Sequence, residues 1–469
     1  VDHGDGTVTD RWTALMWAST DTGKVLDWDT AARDASRETR GGHRDWRLPT
    51  ADELATLRGS QFERVTPECA GGEKHLSVRV APEIRLTCIE LWAADAREGE
   101  AVAMDFVQVV RPWRPKGEKH PRRRALYVRE DSAAWEALTS PSARETQERA
   151  LARAHREGRR FVDHGDGTFT DLQTALMWPR IDGAFPVDWR EAQAMDRGWR
   201  GGGYRDWRMP TVVELEWLND LAHARTLPEC FFNFPNRPLH VPELLRLTCV
   251  EIWAAGTEGT SARVLDFTDE QRRWRPMDEG HALRRALPVR LDDRALALIR
   301  SPETRARQAE RIAAARAAGT RFVDLGDGTV RDTRTGLEWA ARDNGTPVDW
   351  REAVEYAKVF RQGGRYDWRL PTLEELRGLL DPHATEPFWK RAGYLGQYRP
   401  ACSRNNWDYG VFAPPEIRLS CTEIWAADRH EDAAEAAYLS FHTAEASWRR
   451  ESLAWHRVRV LPVRDAERP

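Results

Sequence analysis

Apolar and polar positions along this chain repeat one order three times. Each copy opens with a G-D-G-T segment between apolar residues. A short apolar stretch ending in Trp follows: Leu15-Met16-Trp17, Leu176-Met177-Trp178 and Leu337-Glu338-Trp339. Asp-Gly between apolar residues predicts a hairpin, because Gly accepts positive φ in a tight turn. Asp-Trp comes next (Asp27-Trp28, Asp188-Trp189, Asp349-Trp350), with Ala-containing sequence behind it. That pattern predicts a helix with an acid at its start. Gly-rich turns then lead to W-R-[LM]-P-T-x-x-E-L, at Trp46 to Leu54, Trp207 to Leu215 and Trp368 to Leu376. Thr as N-cap and Glu three residues on predict a capping box, with Pro placed where helix has not begun.

The second half of each unit reads as strands. Alternation around Leu91, Ile252 and Ile424 predicts a central strand, followed by strands through Asp105-Phe106, Asp266-Phe267 and Ser440-Phe441. A closing strand ends in Val-Arg at Val128-Arg129, Val289-Arg290 and Val463-Arg464. Asp2, Asp163 and Asp324 mark a period of 161 residues. A unit that long holds its own core, unlike a solenoid repeat of about 20–50 residues. The expected organisation is domain one at 1–130, domain two at 161–291 and domain three at 322–469. Segments 131–160 and 292–321 are rich in Ala, Arg and Glu, with Ser-Pro early, and read as helical connectors. Their equal lengths predict similar relative orientations of successive domains. Val1 corresponds to Val162 and Val323, so a removed leader, with a helix before it, is expected.

Composition changes this picture in three places. The chain has 469 residues and a net charge of −4, which gives no global drive toward nucleic acid. Its 22 Trp recur at matching positions, where a core role outweighs a ligand platform. The six Cys fall two per unit and 19 apart: Cys69/Cys88, Cys230/Cys249 and Cys402/Cys421. Six Cys allow about 15 connectivities; the period favours one disulfide within each domain, and buried free thiols are the alternative. No His recurs beside them, which argues against a metal site. Disulfides imply an oxidising compartment: periplasm, cell surface or medium. No apolar run reaches membrane-spanning length.

Candidate chemistry is sparse. G-x-S-x-G, H-E-x-x-H and Walker A patterns are absent, so no enzyme is expected. The spaced acids Asp2, Asp5 and Asp10 raise calcium, but the full D-x-D-x-D-G loop is missing, so no cofactor is expected. Glu90, Glu251 and Glu423 recur alongside Arg47, Arg208 and Arg369, which reads as a buried ion pair. Binding has better support. Basic residues surround a Trp near the end of each unit: Arg111, Trp113 and Arg114; Arg272, Arg273, Trp274 and Arg275; Trp448, Arg449 and Arg450. Arg and Trp together stack on sugars and pair with sulfate, carboxylate or phosphate. A solvated basic loop with Trp as a core plug is the competing reading. Domain three adds 11 residues before Cys402, in a segment rich in Tyr, Trp, Arg and Asn between Trp389 and Tyr409; insertions belong in loops, and loops of this kind often carry binding.

The order G-D-G-T-V-x-D, L-x-W, D-W-x-x-A, D-W-R-L-P-T-x-x-E-L and terminal V-R resembles the C-terminal domain family of the Legionella collagen-like protein. The resemblance covers all three units. It implies an α+β, C-type-lectin-like fold, with two helices flanking small antiparallel sheets. The family often carries a Cys near its final V-R, where this chain has Leu126-Tyr127, Leu287-Pro288 and Leu461-Pro462, and no collagen-like G-x-y run is present. The function expected is an exported, non-catalytic protein that binds an anionic glycan or other surface polymer. A structural subunit with an envelope protein as partner is the alternative. The two differ in whether Trp113, Trp274 and Trp448 face solvent.

Overall fold

The structure is a computed structural model. It describes residues 1–466 apart from 59–61, 65–68, 70–76, 220–224, 227–237, 270, 382, 385–409, 431–433 and 453–457.

Domain one begins with antiparallel strands β1 (Thr7–Asp10) and β2 (Leu15–Ala18). Asp5 accepts from the Thr7 N–H and hydroxyl, which closes the preceding turn. Helix α1 (Trp28–Ala35) starts where expected, with Asp27 as N-cap accepting from the Thr30 N–H. Helix α2 (Ala51–Thr56) carries the full capping box: Thr50 accepts from Glu53 N–H, and Glu53 accepts from Thr50 N–H. The same box opens Val212–Trp217 and Leu373–Gly378. A short pair, β3 (Phe62–Arg64) and β4 (Ser77–Arg79), follows.

The second half forms a four-stranded sheet from β5 (Glu90–Arg97), β6 (Glu100–Asp105), β7 (Trp113–Pro115) and β8 (Arg123–Arg124), in the order β7-β6-β5-β8. β5 is central, as its alternation predicts, but its outer neighbour β8 runs parallel to it. β9 (Val128–Glu130) returns to pair with β2, so the first and last segments of the domain share a sheet. Domains two and three repeat this plan, and their first sheets gain a strand at Phe161–Asp163 and Phe322–Asp324. The architecture is three tandem β-rich domains with helices, an α+β arrangement.

The recurring Trp form the cores. Trp17, Trp92, Trp178, Trp253, Trp339 and Trp425 are fully buried. The indole N–H of Trp92, Trp253 and Trp425 donates to the carbonyls of Leu26, Val187 and Val348, tying each central strand to the segment before the first helix. The first connector is helical: α3 (Ser132–Thr139) and α4 (Pro141–Arg156), with Ser140 as N-cap and Pro141 in the first turn. The second has Asp293–Ile299 and Pro302–Ala318.

Successive domains pack directly on one another. Phe185 of domain two is buried within the core of domain one, and the cores of domains two and three are continuous. Gly202 N–H donates to the Trp12 carbonyl at 3.1 Å, and Gly363 N–H donates to the Gln173 carbonyl at 3.2 Å. These four residues are one pair advanced by one period, so this backbone contact is shared by both seams.

Candidate functional site

The W-R-L-P-T-x-x-E-L element is a brace. Trp46 is buried, and its indole donates to the Arg40 carbonyl at 3.2 Å. Arg47 makes two parallel bonds to Glu53, at 2.7 and 2.6 Å, so the capping Glu is held from both sides. Arg208–Glu214 and Arg369–Glu375 repeat this. The hydrogen bond to Glu53 raises the already high pKa of Arg47. This corrects the expected pairing with Glu90. Glu90 pairs instead with buried Arg123 at 3.0 Å, and Glu251 pairs with Arg284 at 3.0 Å and Arg275 at 2.6 Å. Burial pushes the Glu251 carboxyl up, but bonds from Arg275 and Arg284 outweigh it and hold the group below its usual range. The Arg of the motif sits six residues from its true partner, a separation that the helix start converts into contact.

The Trp/Arg segments form the outer edge strands of the second sheets: β7, Gln271–Pro276 and Ala446–Arg450. Strand alternation splits their side chains between two roles. Trp113 is half-buried with the Arg97 guanidinium 4.4 Å over its ring. Trp274 is 37% exposed and sits opposite Arg263, whose guanidinium lies 4.0 Å over it. Trp448 is 38% exposed, with the His430 ring 3.7 Å away and tilted by 31°. Arg450 is exposed beside it, and Arg449 donates to the Tyr438 hydroxyl at 3.1 Å. Arg273 pairs with Asp266 and Asp269, and Arg114 is half-buried.

Arg111 and Arg272 point away from these edges, into the seams. Arg111 pairs with Asp52 at 2.9 Å with its side chain only 7% exposed, and its charge also acts on Glu191 of domain two. Arg272 makes two bonds to Glu216, at 2.6 and 2.7 Å, and lies 3.7 Å from Glu352 of domain three. Glu191 and Glu352 are equivalent positions, so Arg272 ties its own second helix to the first helix of domain three, and Arg111 lies where its charge reaches the equivalent Glu of domain two. Domain three carries Ala446 at this position. Nothing in the sequence pattern separates the seam-facing Arg from its neighbours except that it is present in two copies and absent from the third.

The seams also leave clefts. One of about 980 Å3 opens between domains two and three, with Arg160, Asp163, Gln173, Asn219, Arg342 and Arg418 among its lining. Its counterpart of about 400 Å3 between domains one and two includes Trp12, Arg58, Arg180, Trp199 and Arg246.

Cys69 and Cys88 form a disulfide, and Cys249 and Cys421 are also disulfide-bonded. Their expected partners Cys230 and Cys402, like the segment from Trp389 to Tyr409, lie outside the described residues. The acids that raise calcium bond their own loops: Asp2 accepts from Gly4 N–H, Asp5 from Thr7, and Asp10 from Trp12 N–H and the Thr13 hydroxyl. Among the described residues no group of His, Cys, Asp and Glu could hold a metal ion. No helix among them is long and apolar enough to cross a membrane.

Three like α+β domains, docked in series with their aromatic edge strands repeated, define a tandem-domain array protein. The family model for the Lcl C-terminal domain matches residues 6–125, 167–290 and 328–464, and the chain belongs to this family. No curated protein and no solved structure matches the chain.

Proposed function

We propose that this is an exported, non-catalytic binding protein whose three C-type-lectin-like domains recognise an anionic glycan or other surface polymer. The observation that carries the reading is the exposure of Trp274 and Trp448 on edge strands, each with a basic or imidazole side chain stacked on the ring. An indole face beside guanidinium groups suits a sugar ring that bears sulfate or carboxylate. Several weak sites on one rigid chain gain by avidity when their spacing matches a polymer. The disulfides support an oxidising location in the periplasm, at the cell surface or in the medium.

The test is a glycan and polyanion screen of the intact chain beside a Trp113→Ala/Trp274→Ala/Trp448→Ala variant, with circular dichroism confirming that both are folded. Salt-sensitive binding that the folded variant loses by tenfold or more is the expected result. Binding that the variant retains places the site elsewhere. A second reading, a structural subunit of an envelope assembly, draws on the ion pairs that Arg263 and Arg272 of domain two make with Glu352 of domain three, which suit a spacer. No polymer binding, with a co-purifying envelope protein, decides for that reading.

A further inference from the structure

The cleft of about 980 Å3 between domains two and three is lined by planar polar side chains, several of them fixed by bonds across the seam. Arg342 of domain three donates to the Asn219 carbonyl and to Gln173 Oε1 of domain two, both at 3.1 Å. Two glycines of domain three make room for these partners. A Cβ on Gly328 would lie 2.8 Å from Gln173 Cδ, and one on Gly345 would lie 2.9 Å from Asn219 Nδ2. Asp343 accepts from the Gly345 and Ser420 N–H groups at 3.0 and 2.7 Å. Arg160 makes two bonds to Asp171, at 3.1 and 2.7 Å. A lining held in this way is preorganised, so a ligand need not order it.

Three side chains of the lining keep polar atoms available among the described residues. Asn219 Oδ1 is buried and has no hydrogen-bond partner. Arg418 is exposed; its backbone is pinned by bonds to Ala341 and Asp343, while its guanidinium makes no ion pair. Glu416 makes no ion pair either. The charges around them are mixed. Arg159, Arg160, Arg342 and Arg418 stand against Asp163, Glu216, Glu243, Asp324, Asp343 and Glu416. The acids outnumber the guanidinium groups, which disfavours an anionic ligand. Hydroxyl groups both donate and accept, and so match donors and acceptors set side by side. The half-buried Phe161 ring and Leu244 add apolar surface.

We propose that this cleft is a binding site for a neutral saccharide. Arg418 donates to sugar hydroxyls, and Glu416 and Asn219 Oδ1 accept from them. The volume lies within the range of small-molecule sites, about 300–1,000 Å3, and a seam between domains is where such sites concentrate. The cleft shares no residue with the Trp-bearing edge strands, so it is separate from the polymer site proposed above and takes an uncharged ligand where that one takes an anion. At the seam between domains one and two, Arg58 and Ile181 stand at the positions of Asn219 and Arg342. This set of groups therefore belongs to the seam between domains two and three.

The experiment titrates the intact chain with cellohexaose, maltohexaose and N-acetylchitohexaose by isothermal titration calorimetry, with circular dichroism checking that each variant is folded. Saturable binding of at least one sugar is expected, and dextran sulfate does not displace it. Arg418→Ala weakens it about tenfold, as loss of a charge-assisted bond requires. Asn219→Ala, which keeps the backbone carbonyl for Arg342, weakens it as well. The Trp113→Ala/Trp274→Ala/Trp448→Ala variant retains it, which separates this site from the edge strands. Absence of binding to all three sugars at millimolar concentration overturns the proposal. Binding that either Arg418→Ala or Asn219→Ala leaves unchanged, that the Trp variant loses, or that dextran sulfate displaces overturns it as well.

Discussion

Asp196 stands where domains one and three carry Ala35 and Ala357, and all three positions are buried. Neither oxygen of Asp196 has a hydrogen-bond partner. It lies on the first helix of domain two, facing Asp52 on α2 of domain one and Arg208 of its own brace. Burial pushes its carboxyl well above the usual range, and the Asp52 charge adds to this while Arg208 opposes it. Burial raises Asp52 itself as well, with Arg111 opposing and Asp95 adding to the rise. From about pH 4 upward an unfolded Asp loses its proton. Folded Asp196 keeps its proton, so the unfolded state binds fewer protons and stability falls with rising pH until the folded group ionises. Asp196→Ala therefore flattens the fall in stability above pH 4 and stabilises the protein at neutral pH. Urea unfolding across pH 4–8 reads this directly, and a variant with the wild-type slope would show that the fall originates elsewhere.

Among elements, those with purely local causes were legible in advance. The three capping boxes, the Asp-capped first helices and the Ser-Pro-opened connectors follow from residues within one turn of each other. Thr211→Ala removes the acceptor for Glu214 N–H and is expected to cost about 1 kcal/mol, seen as a lower midpoint for the transition that includes domain two. Thr211→Ser, which keeps the hydroxyl, is expected to stay near wild type. Elements with long-range causes were not legible. The two-residue strand at Arg123–Arg124 is held parallel to β5 by pairing across more than 30 residues, and nothing local announces it. The edge strands were legible as a Trp/Arg cluster only. Which Arg turns toward a neighbouring domain depends on strand alternation and on how two domains meet, so Arg111 and Arg272 were grouped with the exposed Trp although they are buried against Asp52 and Glu216.

For the whole molecule, the seams decide whether three domains act as one body. Removing Arg272 leaves Glu216, a buried carboxylate, without its bidentate partner, an arrangement that typically costs about 3–5 kcal/mol. Arg272→Ala is expected to uncouple domains two and three, so that calorimetry resolves a separate, lower transition where the parent unfolds domains two and three together. A single unshifted transition would mean that the continuous apolar core carries the coupling alone. Both seams use the same backbone contact, Trp12 to Gly202 and Gln173 to Gly363. This contact therefore recurs with the sequence period. Marks repeated in the three sequences follow one another along the array, like graduations on a ruler. If a repeating polymer lies along it, as proposed above, such an array reads length and periodicity, and a single domain cut from the series would lose that reading while keeping its chemistry.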